Sequence, residues 1–419
     1  MSRKANRKKK PAAENKTSSP ASLVGAIRAG AAPGRILRLG VTLALLAALT
    51  AAAVLLARPM PGDVPTAASR RVFVPARVTA VLSDNAGADV WSEGRRMGSQ
   101  VLEVELLGGE HTGTRLTGTN YMSAYINIDA REGTRVILRL DYEEDGTPYI
   151  VSFVNYDRGL VLGGLVLVFA ALLIIIGGKK GLMALLGLVF TLVCLWFLLI
   201  PLIMRGVPPI PAAIAIAALT ATVSLLLLTG FTRKTLCAAL GCVGGVAAAG
   251  LFAAVTGTLT PLGGFNMSEA EELVIRAADH GMTISGLLVA GILISSLGAV
   301  MDVAMSIASA SHELHTLNPE LSAGQLFRSG MNIGRDAMGT MANTLILAFA
   351  GSSMNMLLLF QIYDYPTLQI INSDMMAIEI IQGVAGSTGI ILTVPLVAFL
   401  SAYFMSMPVK KRKTVNAKG

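Results

Sequence analysis

Eight apolar runs recur along this 419-residue chain, most of them in its second half. A helix that spans a bilayer needs about 20 apolar residues, and each run is roughly that long or longer. The runs predict an α-helical polytopic membrane protein of about eight transmembrane helices, with an N-terminal anchor at residues 39–57 and a seven-helix bundle at residues 159–407. The runs are 41–57, 159–177, 182–204, 210–229, 236–259, 283–304, 340–361 and 375–407.

The first run admits two interpretations. Residues 41–57 could form the core of a signal peptide or an uncleaved transmembrane anchor. We favour the anchor, because the segment that precedes the run is long and basic. That segment, residues 1–38, is rich in Lys, Ala, Ser and Pro, a composition that predicts a disordered cytoplasmic tail. Either interpretation places the segment that follows the run outside the cytoplasm.

Residues 58–158 have a different pattern, in which short alternating segments replace the apolar runs. Five segments bounded by turn-forming residues predict five strands. Five strands in about 85 residues suit a small, barrel-like antiparallel domain of the OB or biotinyl-lipoyl size class. Trp91, Tyr121 and Tyr125 are either a ligand-binding face of this domain or ordinary core and surface aromatics. The predicted strands are 71–82, 100–107, 121–129, 134–141 and 147–155.

Composition and charge support a membrane protein and predict its orientation. The chain is 53% hydrophobic and 14% charged, with a net charge of +8 and with Lys and Arg clustered at the ends of apolar runs. Such clusters mark cytoplasmic connections, so the basic balance indicates topology rather than nucleic-acid binding. Both termini, including the basic tail 408–419, are expected in the cytoplasm, and residues 58–158 outside it. The clusters are Lys179 with Lys180, Arg233 with Lys234, Arg328 with Arg335, and residues 410–413.

Polar residues recur at helical spacing in the later runs. At 100° per residue, Asp302 shares a helix face with small residues such as Ser295. Asn332, Asp336 and Asn343 share a face of the next helix in the same way. Acids and amides at membrane depth are costly unless they meet each other, a polar cavity or a substrate. They are therefore functional candidates, although hydrogen bonding between helices would also explain them.

These faces suggest a polar route across the bilayer. Asp302 is expected near the inner boundary and Glu379 near the outer one, with Asn343 and Asn355 at depths between them. If the faces point at one another inside the bundle, they line a path for a substrate or an ion. The alternative is that they are ordinary hydrated residues at the membrane interfaces. The predicted route residues are Asp302, Asn332, Asp336, Asn343, Asn355 and Glu379.

Little in the sequence indicates catalysis. The three cysteines, Cys194, Cys237 and Cys242, all lie in apolar runs without metal-ligand spacing. His312 and His315 are three positions apart, so they do not match the HExxH zinc motif. No phosphate-binding P-loop, GxSxG or GxGxxG motif occurs in the sequence. We therefore expect no catalytic residue, no metal site and no cofactor.

Two segments of the later half resemble the YibE/F-like family of bacterial membrane proteins. They read MDVAMSIASASHEL at residues 301–314 and SGMNIGRDAMGTMANTLILAFAG at residues 329–351. The resemblance extends over about residues 70–407. It implies a multi-pass protein of the bacterial plasma membrane, with an extracytoplasmic β domain and the appearance of a permease. It supplies neither a catalytic residue nor a substrate.

Two functions from different classes are consistent with these features. The first is a secondary transporter or efflux-type permease for an unknown small solute or ion. The second is a non-transporting scaffold or sensor, in which the β domain binds an envelope protein partner. The lipid bilayer is a partner in both cases, and nucleic acid is a partner in neither. The absence of catalytic motifs disfavours a third function, that of an intramembrane enzyme.

Overall fold

The computed structural model describes residues 51, 70–142, 148–267 and 270–407. The two predicted basic tails lie outside these residues, and so does nearly all of the predicted anchor. The chain divides into two compact units. One unit is Arg58–Leu185, which contains the β domain, and the other combines Met1–Ala57 with Leu186–Gly419.

Six antiparallel strands form the β domain. They are β1 Arg70–Asp84, β2 Gly87–Ala88, β3 Arg96–Leu106, β4 Arg115–Met122, β5 Arg135–Tyr142 and β6 Pro148–Tyr156. The strand order is β2-β3-β1-β5-β6, and β4 also pairs with β3. The sheet curls into a half-barrel, so that β4 approaches β6: a Cβ atom built at Gly118 would lie 2.9 Å from Val151 Cγ1. Alternate side chains of β1, including Val74, Ala76 and Val78, fill the core of this half-barrel.

Four of the five predicted strands are confirmed, and the strand predicted at residues 121–129 is wrong. β4 ends at Met122, and buried side chains hold the residues after it in an irregular connection. Gln100 Oε1 accepts a hydrogen bond from Ala130 N at 3.1 Å, and Asn120 Nδ2 donates to Ile128 O at 2.6 Å. These side chains bind backbone groups that would otherwise pair with a neighbouring strand.

Ten helices lie in the part of the chain that the structure describes after β6. They are α1 Gly159–Cys194, α2 Ile200–Met204, α3 Pro209–Thr229, α4 Arg233–Leu259, α5 Ala270–His280, α6 Leu287–Leu317, α7 Ala323–Ser352, α8 Met354–Ile362, α9 Thr367–Ile371 and α10 Asp374–Ser406. A π-helical turn, Leu195–Leu199, joins α1 to α2.

Five stretches of the described residues are long and apolar enough to cross a membrane, and the bent pair α7 and α8 adds a sixth if it is one span. The longest stretch, Gly159–Met204, contains a break in α1 at Gly178, where φ is 55° and ψ is −132°. This break falls between the apolar runs predicted at 159–177 and 182–204. The total of eight spans stays a prediction.

The connection between the apolar runs 283–304 and 340–361 is mostly helical. α6 continues to Leu317 and α7 begins at Ala323. A capping box starts α7, because Ser322 Oγ accepts a hydrogen bond from Gln325 N while Gln325 Oε1 accepts one from Ser322 N. The early turns of α7 therefore continue into a membrane helix instead of forming a separate surface element.

The last long helix, α10, packs against α4, α6 and α7. Glycines make these contacts close. A Cβ atom built at Gly334 of α7 would lie 2.9 Å from Ile307 Cδ1 and closer still to Val394 Cγ1. On the α4 side, a Cβ atom at Gly389 would lie 2.7 Å from Ala249 Cβ. Small residues of this kind let membrane helices approach each other and gain dispersion contacts.

Replacement of Gly334 and Gly298 by alanine should change stability in opposite directions. Gly334→Ala should lower the free energy of unfolding by about 1–3 kcal/mol, because the added methyl group overpacks the contact with α10. Gly298→Ala should raise it by up to about 1 kcal/mol, because alanine favours the helix and nothing lies within 4 Å of its Cβ position. Unfolding in one detergent measures both. A Gly334→Ala protein as stable as the wild type would contradict the close packing.

Candidate functional site

The polar faces predicted on α6 and α7 lie on the exposed side of these helices. Asp302 is exposed, whereas Ile307 on the other side of α6 is fully buried. Asn332, Asp336 and Asn343 of α7 are also exposed. Among the described residues of the single chain, the packing does not bring these exposed faces together. Whether they line a route stays a prediction.

The physical reason is that hydrophobicity does not select the packed face of a membrane helix. Lipid tails are as apolar as Leu or Ile side chains, so close approach between backbones decides which face packs. On α7 the small residues Gly330 and Gly334 meet α10, where a Cβ atom at Gly330 would lie 3.1 Å from Ala398 Cβ. The polar stripe is on the opposite side of α7, because it lies about half a turn from these glycines.

The exposed polar residues of α7 lie at the level of the uncharged part of α10, on the side of α7 that faces away from it. Gly334 contacts Val394, and residues 380–409 contain no Asp, Glu, Lys or Arg. This uncharged stretch is the part of α10 that suits the hydrocarbon of a bilayer. Asp336, half a turn from Gly334, is on the exposed side of α7.

Asn355 and Glu379 meet at one cavity near the start of α10. Its volume is about 410 Å³, which lies within the usual range of small-molecule sites. Glu379 is the one charged side chain among the described residues that line it. The lining residues are Asn266, Met267, Ser352, Ser353, Asn355, Met356, Met375, Ile378, Glu379 and Gln382.

A break between α7 and α8 forms one wall of this cavity. The two helices meet at Ser353 with a bend of 58°. Phe349 O accepts hydrogen bonds both from Ser353 N at 3.1 Å and from Ser352 Oγ at 2.7 Å. Serine hydroxyls that bind backbone carbonyls compete with the helical hydrogen bonds and bend helices. The span predicted as a single helix at 340–361 is therefore two helices, and the break lies next to Glu379.

Two oxygen atoms of the cavity residues have no hydrogen-bond partner among the described residues. Glu379 Oε2 and Ser353 Oγ are both enclosed by the protein, and Ser353 is only 8% exposed. Burying a polar atom without a partner costs about 1–3 kcal/mol, and an unpaired carboxylate costs more. Such atoms are expected where a ligand completes the hydrogen bonds.

A hydrogen bond connects the opposite wall of the cavity to α10. Asn266 Nδ2 donates to Asp374 Oδ2 at 2.8 Å, and Asn266 Oδ1 accepts from Gly263 N at 3.1 Å. Ser373 Oγ accepts from Met376 N at 3.3 Å and caps the start of α10. These contacts position the first turns of α10, and therefore the backbone that carries Glu379.

The sequence reasoning found two residues of this cavity and missed the others. Asn355 and Glu379 were predicted as route residues. Ser352 and Ser353 carried a signal, since Gly-Ser-Ser inside an apolar run favours a kink. No sequence signal identified Asn266, because its position at the cavity depends on a hydrogen bond to a residue 108 positions later in the chain. Among the described residues, no cluster of three His, Cys, Asp or Glu side chains could hold a metal ion.

The fold and the cavity together suit a multi-pass helical membrane protein that carries a small β domain. Comparison with family models gives a match to the YibE/F-like protein family over residues 165–407. The match covers more than half of the chain, so the chain belongs to this family. The matched region begins inside α1. The resemblance seen in the sequence included the β domain, but the family model does not cover it. No curated protein and no solved structure matches the chain.

Removal of the enclosed Ser353 hydroxyl should not destabilise the protein. Ser353→Ala should leave the free energy of unfolding unchanged or raise it by about 1 kcal/mol, because the hydroxyl is buried without a partner. Thr393→Val is the matched control, since Thr393 is fully buried and its Oγ1 donates to Gly389 O at 2.7 Å. The control should lose about 1 kcal/mol. Thermal unfolding in detergent compares the two, and an equal loss in both would show that Ser353 Oγ is hydrogen-bonded.

Proposed function

We propose that this protein is a secondary permease of a bacterial plasma membrane, which binds a small cationic solute or ion at Glu379. The observation that carries the proposal is the enclosed Oε2 atom of Glu379, for which the described residues provide no hydrogen-bond partner. This atom lies in a cavity at a break between two helices. A ligand that donates a hydrogen bond to this atom supplies the partner that the described residues do not provide.

The helix break supports transport. Secondary transporters place their substrate sites at discontinuous helices, where the ends of the two half-helices present backbone groups to the substrate. Irregular backbone at membrane depth is tolerated where it lines a cavity or is covered by protein. The break at Ser353 satisfies this condition, since Ser353 lines the cavity and is itself buried.

The chemistry of the lining favours a positively charged substrate. Glu379 contributes a carboxylate, and no Lys, Arg or His occurs among the described residues that line the cavity. Amide and hydroxyl groups of Asn355, Gln382 and Ser353 can accept further hydrogen bonds from a cation. The thioethers of Met residues form an adaptable apolar surface for the rest of an organic ion. A cavity of about 410 Å³ is larger than a bare ion requires.

A scaffold or sensor would not need this cavity. Signalling through the bundle requires neither an enclosed carboxylate nor a broken helix beside it, so these two features favour the permease over the alternative. The proposal includes cytoplasmic termini and an extracytoplasmic β domain, which the distribution of Lys and Arg supports. It assigns the binding step to Glu379 and assigns no catalytic residue.

Neutralising Glu379 should abolish most transport. In liposomes that contain the purified protein and an imposed proton gradient, uptake of Na⁺, K⁺, choline, amino acids and short peptides is measured against protein-free vesicles. We expect uptake of at least one cation, and a loss of about tenfold or more in Glu379→Gln, which corresponds to about 1.4 kcal/mol of lost binding. Equal uptake by the variant and the wild type would remove the proposal, and so would a wild type that moves no cation.

A second glutamate provides the matched control for this experiment. Glu313 is exposed near the end of α6 and does not line the cavity. Glu313→Gln should keep uptake within about twofold of the wild type, because an exposed charge contributes little. All variants must be folded, as judged by gel filtration before reconstitution. They must also be present in equal amounts in the vesicles. Loss of uptake in both variants would show an effect of total charge and would contradict a specific site at Glu379.

A further inference from the structure

Two loops with exposed aromatic side chains lie at one end of the β domain. Trp91 is 95% exposed in the turn between β2 and β3, next to Val90, which is 90% exposed. Tyr125 is 95% exposed in the connection after β4, and Tyr121 at the end of that strand is 74% exposed. Large apolar side chains that are exposed together mark an interaction surface.

Strand directions place both loops at the end of the sheet where β6 ends. β5 pairs antiparallel with both β1 and β6, so β1 and β6 run in the same direction, and β4 meets β6 where the half-barrel closes, with Gly118 beside Val151. β3 is antiparallel to β1, so β3 begins at this end, and β4, antiparallel to β3, finishes here. The aromatic loops precede the start of β3 and follow the finish of β4. They therefore share one end of the half-barrel with Tyr156, the last residue of β6.

Direct contacts connect this end to both loops. Tyr156 Oη donates to Asp129 O at 3.3 Å, and Arg96 Nη1 donates to Asp129 Oδ1 at 2.8 Å. Arg95 Nη1 donates to Ala124 O at 3.2 Å and joins the Trp91 loop to the Tyr125 loop. The two loops thus form one surface with the strand that leads into α1.

Arg96 also holds the base of the Trp91 loop. Its Nη2 atom donates to Asp84 Oδ1 at 2.6 Å and to Ala86 O at 3.0 Å. The Arg96 guanidinium, together with the Gln100 amide, lowers the pKa of the Asp84 carboxyl to about 2. A carboxyl whose pKa is lowered stabilises the folded state at pH values above its ordinary pKa, and this contribution is lost as the pH falls towards 2. The loop base is therefore fixed at neutral pH.

The chain enters its first apolar helix directly after this end of the sheet. Asp157 and Arg158 separate Tyr156 from Gly159, the first residue of α1. Three residue steps span at most about 11 Å. The first turns of α1, which are wholly apolar, suit the bilayer. The end of the sheet that carries the aromatic loops is therefore the end at which the chain enters its first apolar helix.

We propose that Val90, Trp91, Tyr121 and Tyr125 form a surface that docks the β domain on the headgroup region of the bilayer. Trp and Tyr are the side chains that favour this region, because their rings combine an apolar body with a polar group. The lipid surface is the occupant that the position of the loops requires, since the chain itself enters the bilayer at the same end. The inference is independent of the transport proposal and needs no substrate.

Fluorescence of Trp91 tests the docking in the full-length protein. The chain has two Trp residues, so Trp196→Phe leaves Trp91 as its one fluorophore of this type. In nanodiscs, lipids with a spin label on the headgroup should quench Trp91 emission by about half, and iodide in solution should quench it weakly, because an interfacial ring lies among headgroups. Lipids labelled deep in the acyl chain should quench it less than headgroup-labelled lipids do.

A tryptophan at the other end of the sheet is the control. Phe73 lies in the first half of β1, pairs with Arg139 and is 60% exposed. Phe73→Trp in a protein that also carries Trp91→Phe and Trp196→Phe should be quenched by iodide and not by labelled lipid. The proposal is overturned if Trp91 behaves like this control. It is also overturned if Trp91 is protected from iodide but not quenched by lipid, since protein would then cover it.

Discussion

Close approach of helices to α10 is the interaction on which the membrane part of this structure depends. Gly241 and Gly245 of α4 and Gly330 and Gly334 of α7 all face α10 at distances that leave no room for a side chain. In hydrocarbon, helices gain little by hiding apolar side chains from lipid, so contacts of this kind determine which faces are inside. The glycines therefore determine how α4 and α7 are oriented. Because the glycines of α7 face α10, its polar face points outward.

The same constraint explains why the cavity lies at one end of α10. Between Gly386 and Ala398 the helix is in close contact with its neighbours, through Leu345, Thr393 and Val394. Towards its beginning, α7 ends at Ser352 and α8 turns away by 58°. The bend ends the close packing and leaves space beside Glu379. The side chain of Glu379 fits there without disturbing the close helix contacts at the glycines, because the neighbouring helix turns away from α10 at this level.

The sequence predicts the elements of this protein better than it predicts their faces. Apolar runs located the long helices, and alternation located four strands, because both signals are local. The strand expected at 121–129 failed because Gln100 and Asn120 bind the backbone of that segment from other strands. The polar faces of α6 and α7 are exposed, because close approach between backbones rather than polarity selects the packed face. Asn355 and Glu379 were identified as polar residues in apolar surroundings, but their meeting depends on the bend at Ser353, which composition alone does not fix.

The Glu379 cavity and the exposed acids of α6 and α7 are different kinds of polar site. An acid near hydrocarbon needs an environment that compensates its charge. For Glu379 this chain provides a cavity whose lining also includes hydroxyl and amide groups. Asp302 and Asp336 do not line this cavity, and both residues are exposed. Glu379 Oε2 is enclosed next to a cavity within a single chain, and for that reason the proposed function is assigned to Glu379 rather than to the longer polar stripes.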